Sequence, residues 1–116
     1  MQNILDHFHN PENYGELKNA NRHTLEHNPV CGDKIELFMV VDADKIVNLK
    51  FKGEGCAISQ AAMSILSDEI IGLSVEDARK YSKDTLIELL GIDLSPTRLK
   101  CALLSLQAVH RALNKN

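Results

Sequence analysis

The sequence predicts an α+β fold: a small antiparallel three-stranded sheet packed against several helices. Three observations lead there. From Lys34 to Val41, the residues Ile35, Leu37, Met39 and Val41 alternate with Lys34, Glu36 and Phe38, the period of two of a half-buried strand. A second apolar run, Lys45 to Lys52, follows a short Asp42-Ala43-Asp44 turn, so the two runs pair as an antiparallel hairpin. After Gly53-Glu54-Gly55 the apolar period becomes helical. Strands first and helices afterwards favour α+β over a parallel βαβ arrangement.

Each element has its own signal. Ile4, Leu5 and Phe8 share one helical face, and Asn10-Pro11 stops that short first helix. The polar stretch from Glu12 to Asn21, with Gly15, reads as a loop. Arg22 to His27 reads as an edge strand, broken by Asn28-Pro29. In the second strand of the hairpin, Ile46, Val47, Leu49 and Phe51 carry the apolar side. Ile58, Ala61, Ala62, Ile65, Leu66 and Ile70 mark a helix that ends near Gly72. Ser74, with Asp77 three residues on, and then Ser82 start two short helices that run to Tyr81 and Leu90. Gly91 punctuates. Ser95-Pro96 opens the last helix, through Leu99, Leu103, Leu106, Val109 and Leu113. No repeat, low-complexity tract or linker interrupts the chain, so one domain over residues 1–116 is expected.

Composition bounds the function. At 116 residues the chain suffices for one core and is too short for two. With 44% apolar and 25% charged residues it has the balance of a globular domain, not of a disordered chain. The net charge is −3 and the aromatics are two Tyr and three Phe with no Trp, which argues against a nucleic-acid partner. The longest apolar run, Leu37 to Val41, falls far below the roughly 20 residues that span a bilayer. Met1 to Phe8 has neither the basic start nor the apolar core of a signal peptide. A cytoplasmic location with no membrane partner is therefore expected. Three Cys, an odd number in a reducing compartment, argue against a disulfide framework and for metal or thiol chemistry.

The cysteines are expected near element ends. Cys31 lies in a turn between strands, Cys56 at the start of a helix, and Cys101 in the first or second turn of the final helix. A helix N-terminus beside Cys56, and Arg98 and Lys100 before Cys101, favour thiolates. Gly32 and Gly55 each adjoin a Cys, as where backbone must bend or approach a bound group. For any single Cys, inert packing as a small hydrophobe is the alternative. Three thiolates with Asp33 as an oxygen donor would form a four-coordinate site suited to zinc or to an iron–sulfur cluster. There are no C-x-x-C pairs, so spacing alone leaves the choice open.

Other residues carry weaker signals. His7, His9 and His23 read as surface residues, as does His27, although it stands four residues before Cys31. His110, nine residues beyond Cys101 and about 13.5 Å along a helix, is too far to share its site. Gly53-Glu54-Gly55 is too short and acidic to cradle phosphate, and Glu54 reads as solvated. Met63 among alanines reads as helix packing.

Together, Asn28-Pro29-Val30-Cys31-Gly32-Asp33, Gly53-Glu54-Gly55-Cys56-Ala57-Ile58-Ser59-Gln60-Ala61 and Arg98-Leu99-Lys100-Cys101-Ala102 resemble the U-type iron–sulfur cluster scaffold proteins, the NifU N-terminal, IscU and SufU group. Asn10-Pro11-Glu12-Asn13-Tyr14-Gly15 also resembles that family's N-terminal segment. The resemblance covers essentially the whole chain, and three separate Cys motifs in order make it specific. It implies that Cys31, Cys56 and Cys101 hold a transient [2Fe–2S] cluster, with Asp33 tuning its lability or ligating Zn2+ at the same site. A hard carboxylate is a poorer ligand for a soft cluster and eases release. Sulfur would arrive as persulfide from a cysteine desulfurase, by exchange onto Cys31 or Cys101, and the cluster would pass to apo acceptor proteins. The resemblance implies a carrier and scaffold, not an enzyme. Its SufU branch implies the alternative, a zinc-dependent sulfur acceptor (sulfurtransferase) that partners a desulfurase. A structural zinc domain that only binds partners is a third reading.

The chain departs from the pattern in two places. IscU proteins carry a His immediately before the third Cys; here Lys100, a cation and a poor ligand, stands there. Arg98-Leu99-Lys100-Cys101 is closer to the SufU branch, yet the stretch from Gly72 to Pro96 is too short for that branch's insertion. Arg98 is expected beside the site, donating hydrogen bonds toward Asp33 or a sulfur. In Leu94-Ser95-Pro96-Thr97-Arg98, only Leu94 and Pro96 match the Leu-Pro-Pro-Val-Lys motif that a dedicated Hsp70 chaperone binds. The segment reads instead as an ordinary Ser-capped helix start, and a chaperone partner is not expected.

Overall fold

The computed structural model describes residues 13–28, 32–55, 57–91 and 94–114. The expected first helix, Cys31 and Cys56 lie outside the described residues. Three strands come first: β1 (Arg22–Asn28), β2 (Asp33–Asp42) and β3 (Lys45–Glu54). Four helices follow: α1 (Ala57–Ile70), α2 (Val75–Arg79), α3 (Lys83–Leu90) and α4 (Pro96–Leu113). The sheet has the order β1-β2-β3 and is antiparallel throughout, as the α+β reading requires.

Alternation sets the faces. Ile35, Leu37 and Met39 of β2 and Ile46, Leu49 and Phe51 of β3 are fully buried under the helices, which cover one face of the sheet. The hairpin closes on Ala43 and Asp44, at φ 50° and 63°, two left-handed residues whose twist matches that of the paired strands. Val47 differs from expectation: it is 51% exposed and does not share the apolar side. Val41 pairs with Ile46 and Val40 with Asn48, so Val47 is the extra residue of a bulge. The period of two slips there, and Leu49 resumes the inward face. The loop before β1 is also more ordered than its composition implies. Phe51 N–H donates to Asn13 O (2.9 Å) and Gly15 N–H to Phe51 O (2.8 Å), covering part of the outer edge of β3.

The helix starts follow the capping chemistry. Ser74, Ser82 and Ser95 hydroxyls accept from the backbone N–H of Asp77, Thr85 and Arg98 at 3.1, 3.3 and 3.4 Å. Pro96 opens α4, and Gly91 ends α3 in the left-handed conformation. The α2 helix stops at Arg79, short of Tyr81. Lys80 and Tyr81 N–H reach back only three residues, to Asp77 and Ala78, tightening the last turn. Met63, Ala61 and Ala62 of α1 are fully buried, as packing residues.

The ties between layers fix the direction of the two long helices. Gly72 N–H donates to Ile46 O (2.7 Å) and Ile46 N–H to Leu73 O (2.9 Å), so α1 ends where β3 begins. Arg22 Nη1 donates to the carbonyls of Ala112 and Leu113 (3.2 and 3.3 Å), so α4 ends where β1 begins. Arg79 Nη2 donates to Leu113 O at 2.6 Å and shares the capping of that terminus. Both helices therefore run parallel to β2. Their N-termini lie at the end of the molecule where β2 starts with Asp33. Among the described residues, no helix is long and apolar enough to cross a membrane.

Candidate metal centre

Asp33 opens β2 opposite Asn28 and is fully buried. Its cover is the backbone of Gly55. At φ +109°, Gly55 adopts a conformation that side chains rarely take, and a Cβ there would overlap Asp33 Oδ1 and sit 2.9 Å from its Cα. The backbone at Gly55, expected to approach a bound group, approaches the Asp33 carboxylate itself. Gly32, at φ +73°, closes the connection from β1 by donating its N–H to Asn28 O at 2.8 Å. Gly32 precedes Asp33 in the chain and Gly55 covers it, so one described neighbour of Cys31 and one of Cys56 adjoin Asp33.

Cys101 comes to this end on α4, in its second turn. It is 3% exposed, so the expectation of an element end away from the core is corrected. The helical period puts Cys101, Ser105, Ala108 and Ala112 along one stripe, and all four are buried. The sulfur is therefore shielded by the same packing that holds α4. Lys100 is exposed and lines a cleft of about 330 Å³ with His27, Asn28, Leu103, Leu104 and Gln107. That cleft joins the start of α4 to the end of β1, two residues of which flank the turn carrying the first Cys motif.

Arg98 is exposed. Its backbone N–H caps to Ser95, and its side chain makes no hydrogen bond or ion pair with a described residue, so the expected contact toward Asp33 is absent among them. His23 and His27 are exposed as expected, and His23 Nε2 pairs with Glu36 at 2.8 Å. His110 Nε2 donates to Tyr81 O at 2.9 Å, which accounts for it structurally. Glu54 is exposed, as a solvated residue.

Of the four predicted donors, Asp33 and Cys101 are described. Among the described residues no three His, Cys, Asp or Glu cluster as a metal site. The surroundings suit a sulfur-and-oxygen donor set. A buried carboxylate lies under the Gly55 backbone, a buried sulfur lies in the second turn of α4, and two helix N-termini add partial positive charge at this end. Sequence reasoning missed a second buried acid, Glu26, on the inward side of β1. Its signal was parity: Thr24 and Glu26 share the face that looks at the helices.

Comparison with known proteins places the chain in a family. The family model for the NifU-like N-terminal domain matches residues 1–116. The chain belongs to the NifU-like N-terminal domain family. Within that family, the zinc-dependent sulfurtransferase SufU of Bacillus subtilis is 37% identical, across 98% of this chain and 88% of its own length. The iron–sulfur cluster assembly scaffold protein IscU 1 of Archaeoglobus fulgidus is 34% identical, across 95% of this chain and 71% of its own. The crystal structure of FiSufU from Fervidobacterium islandicum superposes with a TM-score of 0.80 at 30% identity, covering 96% of this chain and 93% of that one. The NifU-like match spans all three Cys motifs.

Proposed function

We propose that this protein is a scaffold for iron–sulfur cluster assembly. It builds a transient [2Fe–2S] cluster on Cys31, Cys56, Cys101 and Asp33 from iron and desulfurase-derived sulfur, and hands it to apo-proteins. The chain works as one unit over residues 1–116, in a reducing compartment such as the cytoplasm. The observation that supports the reading is the buried Asp33 under the Gly55 backbone, with buried Cys101 in the second turn of α4, at the end where both long helices begin. The named scaffolds among the relatives support it.

The chemistry follows from the donors. Thiolates bind iron firmly, while one carboxylate in the set weakens a soft cluster enough to be passed on. A persulfide sulfur moves by thiol exchange: the scaffold thiolate attacks the outer sulfur, a new S–S bond forms, and the desulfurase Cys leaves as thiolate. Cys31 and Cys101 are the candidate acceptors. Two electrons per sulfur are still required to bring persulfide to sulfide, and a reductant of the ferredoxin or thiol class supplies them.

A second reading is favoured by the SufU relative and by exposed Lys100, a non-ligand, immediately before Cys101. In it Zn2+ occupies the same donors and the protein accepts sulfur without building a cluster. Anaerobic incubation of zinc-free and zinc-loaded protein with ferrous iron, cysteine and a desulfurase separates the two. The scaffold reading predicts cluster absorption from the zinc-free sample, lost in Cys31→Ser and in Cys101→Ser. Desulfurase stimulation by the zinc-loaded sample alone, with no cluster in either, replaces it with the sulfur-acceptor reading.

A further inference from the structure

The buried acid Glu26 has no part in the chemistry above, yet it ties the sheet to α4. Thr24 Oγ1 donates to its Oε2 at 2.7 Å. From α4, Gln107 Nε2 donates to Oε1 at 2.8 Å, and Arg111 Nε lies 3.2 Å from the same oxygen. Glu26 is only 5% exposed, whereas the Arg111 side chain is 64% exposed, so this is a desolvated carboxylate reached by a snorkelling guanidinium. A carboxylate that deep is tolerated only with its donors in place.

Position gives the cluster its meaning. Glu26 stands two residues before Asn28, the partner of Asp33 in the ladder. Gln107 lies six residues beyond Cys101, about 9 Å along the helix axis. Apolar contacts between a strand and a helix tolerate sliding, but a hydrogen bond and an ion pair from α4 to one buried carboxylate, itself held by Thr24 of β1, do not. The arginine contacts at Ala112 and Leu113 hold the far end of α4; Glu26 holds the part nearer the donors.

We infer that Glu26 is a positioning residue that locks the register of α4 against β1, setting Cys101 relative to Asp33 at the start of β2. The inference rests on the proposed donor set.

The test uses Co2+ as a spectroscopic probe on the full chain. Metal affinity is read by competition with a chelator and geometry by the d–d bands. Glu26→Ala, Glu26→Gln and Leu86→Ala are compared where all are folded; Leu86 is a buried residue of α3 that serves as a destabilising control. The expected result is a loss of Co2+ affinity of about tenfold or more in Glu26→Ala, with shifted d–d bands. Glu26→Gln, nearly isosteric and still an acceptor for Gln107, falls between it and wild type. Leu86→Ala keeps wild-type bands and affinity. If Glu26→Ala fails to fold, Gln107→Ala and Arg111→Ala carry the same expected band shift. Wild-type bands and affinity in the Glu26 or α4 variants would overturn the inference and leave the donor set standing. Cobalt binding indifferent to Cys101→Ser would instead overturn the donor set, and the clamp with it.

Discussion

Replacing Gly55 by Ala probes the contact on which the centre is built. Two costs add. Leaving the glycine-only region at φ +109° costs a side chain roughly 1–3 kcal/mol. The new methyl would also overlap Asp33 Oδ1 and press on its Cα at 2.9 Å, and that backbone is fixed at the start of β2. Overpacking of this kind costs roughly 1–3 kcal/mol. The smaller entropy of an unfolded Ala returns about 0.4–1 kcal/mol. The net is a loss of about 2–5 kcal/mol, a large share of the roughly 5–15 kcal/mol by which domains are stable. Gly91→Ala supplies the control. Gly91 also has positive φ, +67°, but its Cβ would meet nothing within 4 Å, so only the backbone cost of about 1–2 kcal/mol applies, less the same unfolded-state return. Urea unfolding of both variants measures the difference. If Gly55→Ala is no more destabilising than Gly91→Ala, the glycine cradle over Asp33 is refuted.

Three further outcomes are expected. Asp33→Ala should slow cluster release, seen as a longer-lived visible absorption after reconstitution; a lifetime no longer than wild type would remove Asp33 from the release step. Ala43→Asn should stabilise the protein by about 0.5–1 kcal/mol, because Asn tolerates the left-handed turn position that Ala43 occupies at φ 50°; a urea midpoint that does not rise would contradict the turn geometry. Burial, with a smaller contribution from Glu69, raises the Tyr81 hydroxyl above its ordinary range. Its stabilising effect is therefore complete below the ordinary tyrosine value of about 10 and is lost as pH rises through the higher folded value. Unfolding measured from about pH 8 to about pH 11 should show a shallower alkaline loss in Tyr81→Phe than in wild type.

The sequence and the fold agree wherever local chemistry decides. Period-two alternation located β2, the Asp42-Ala43-Asp44 turn located the hairpin, and three serines located three helix starts. They part where pairing decides. Val47 is as apolar as its neighbours, and only the slip in register between β2 and β3 turns it outward. Asn13 to Gly15 has the composition of a loop and is recruited by the open edge of β3. The site shows the same division. The three Cys motifs and Asp33 stand out in the sequence, by residue type and by family resemblance. The burial of Cys101 was not legible, because charged Arg98 and Lys100 point to solvent while the helical stripe of Cys101 faces the core. Nor was the Glu26 cluster, whose donors lie 81 and 85 residues away along the chain.

Cluster assembly and delivery are tested by anaerobic reconstitution of the zinc-free chain with ferrous iron, cysteine and a desulfurase, followed by Mössbauer spectroscopy and addition of apo-ferredoxin. The proposed function requires a [2Fe–2S] signature that leaves the protein and reappears on the ferredoxin. Iron that stays mononuclear, or a cluster that forms and cannot be transferred, would contradict it.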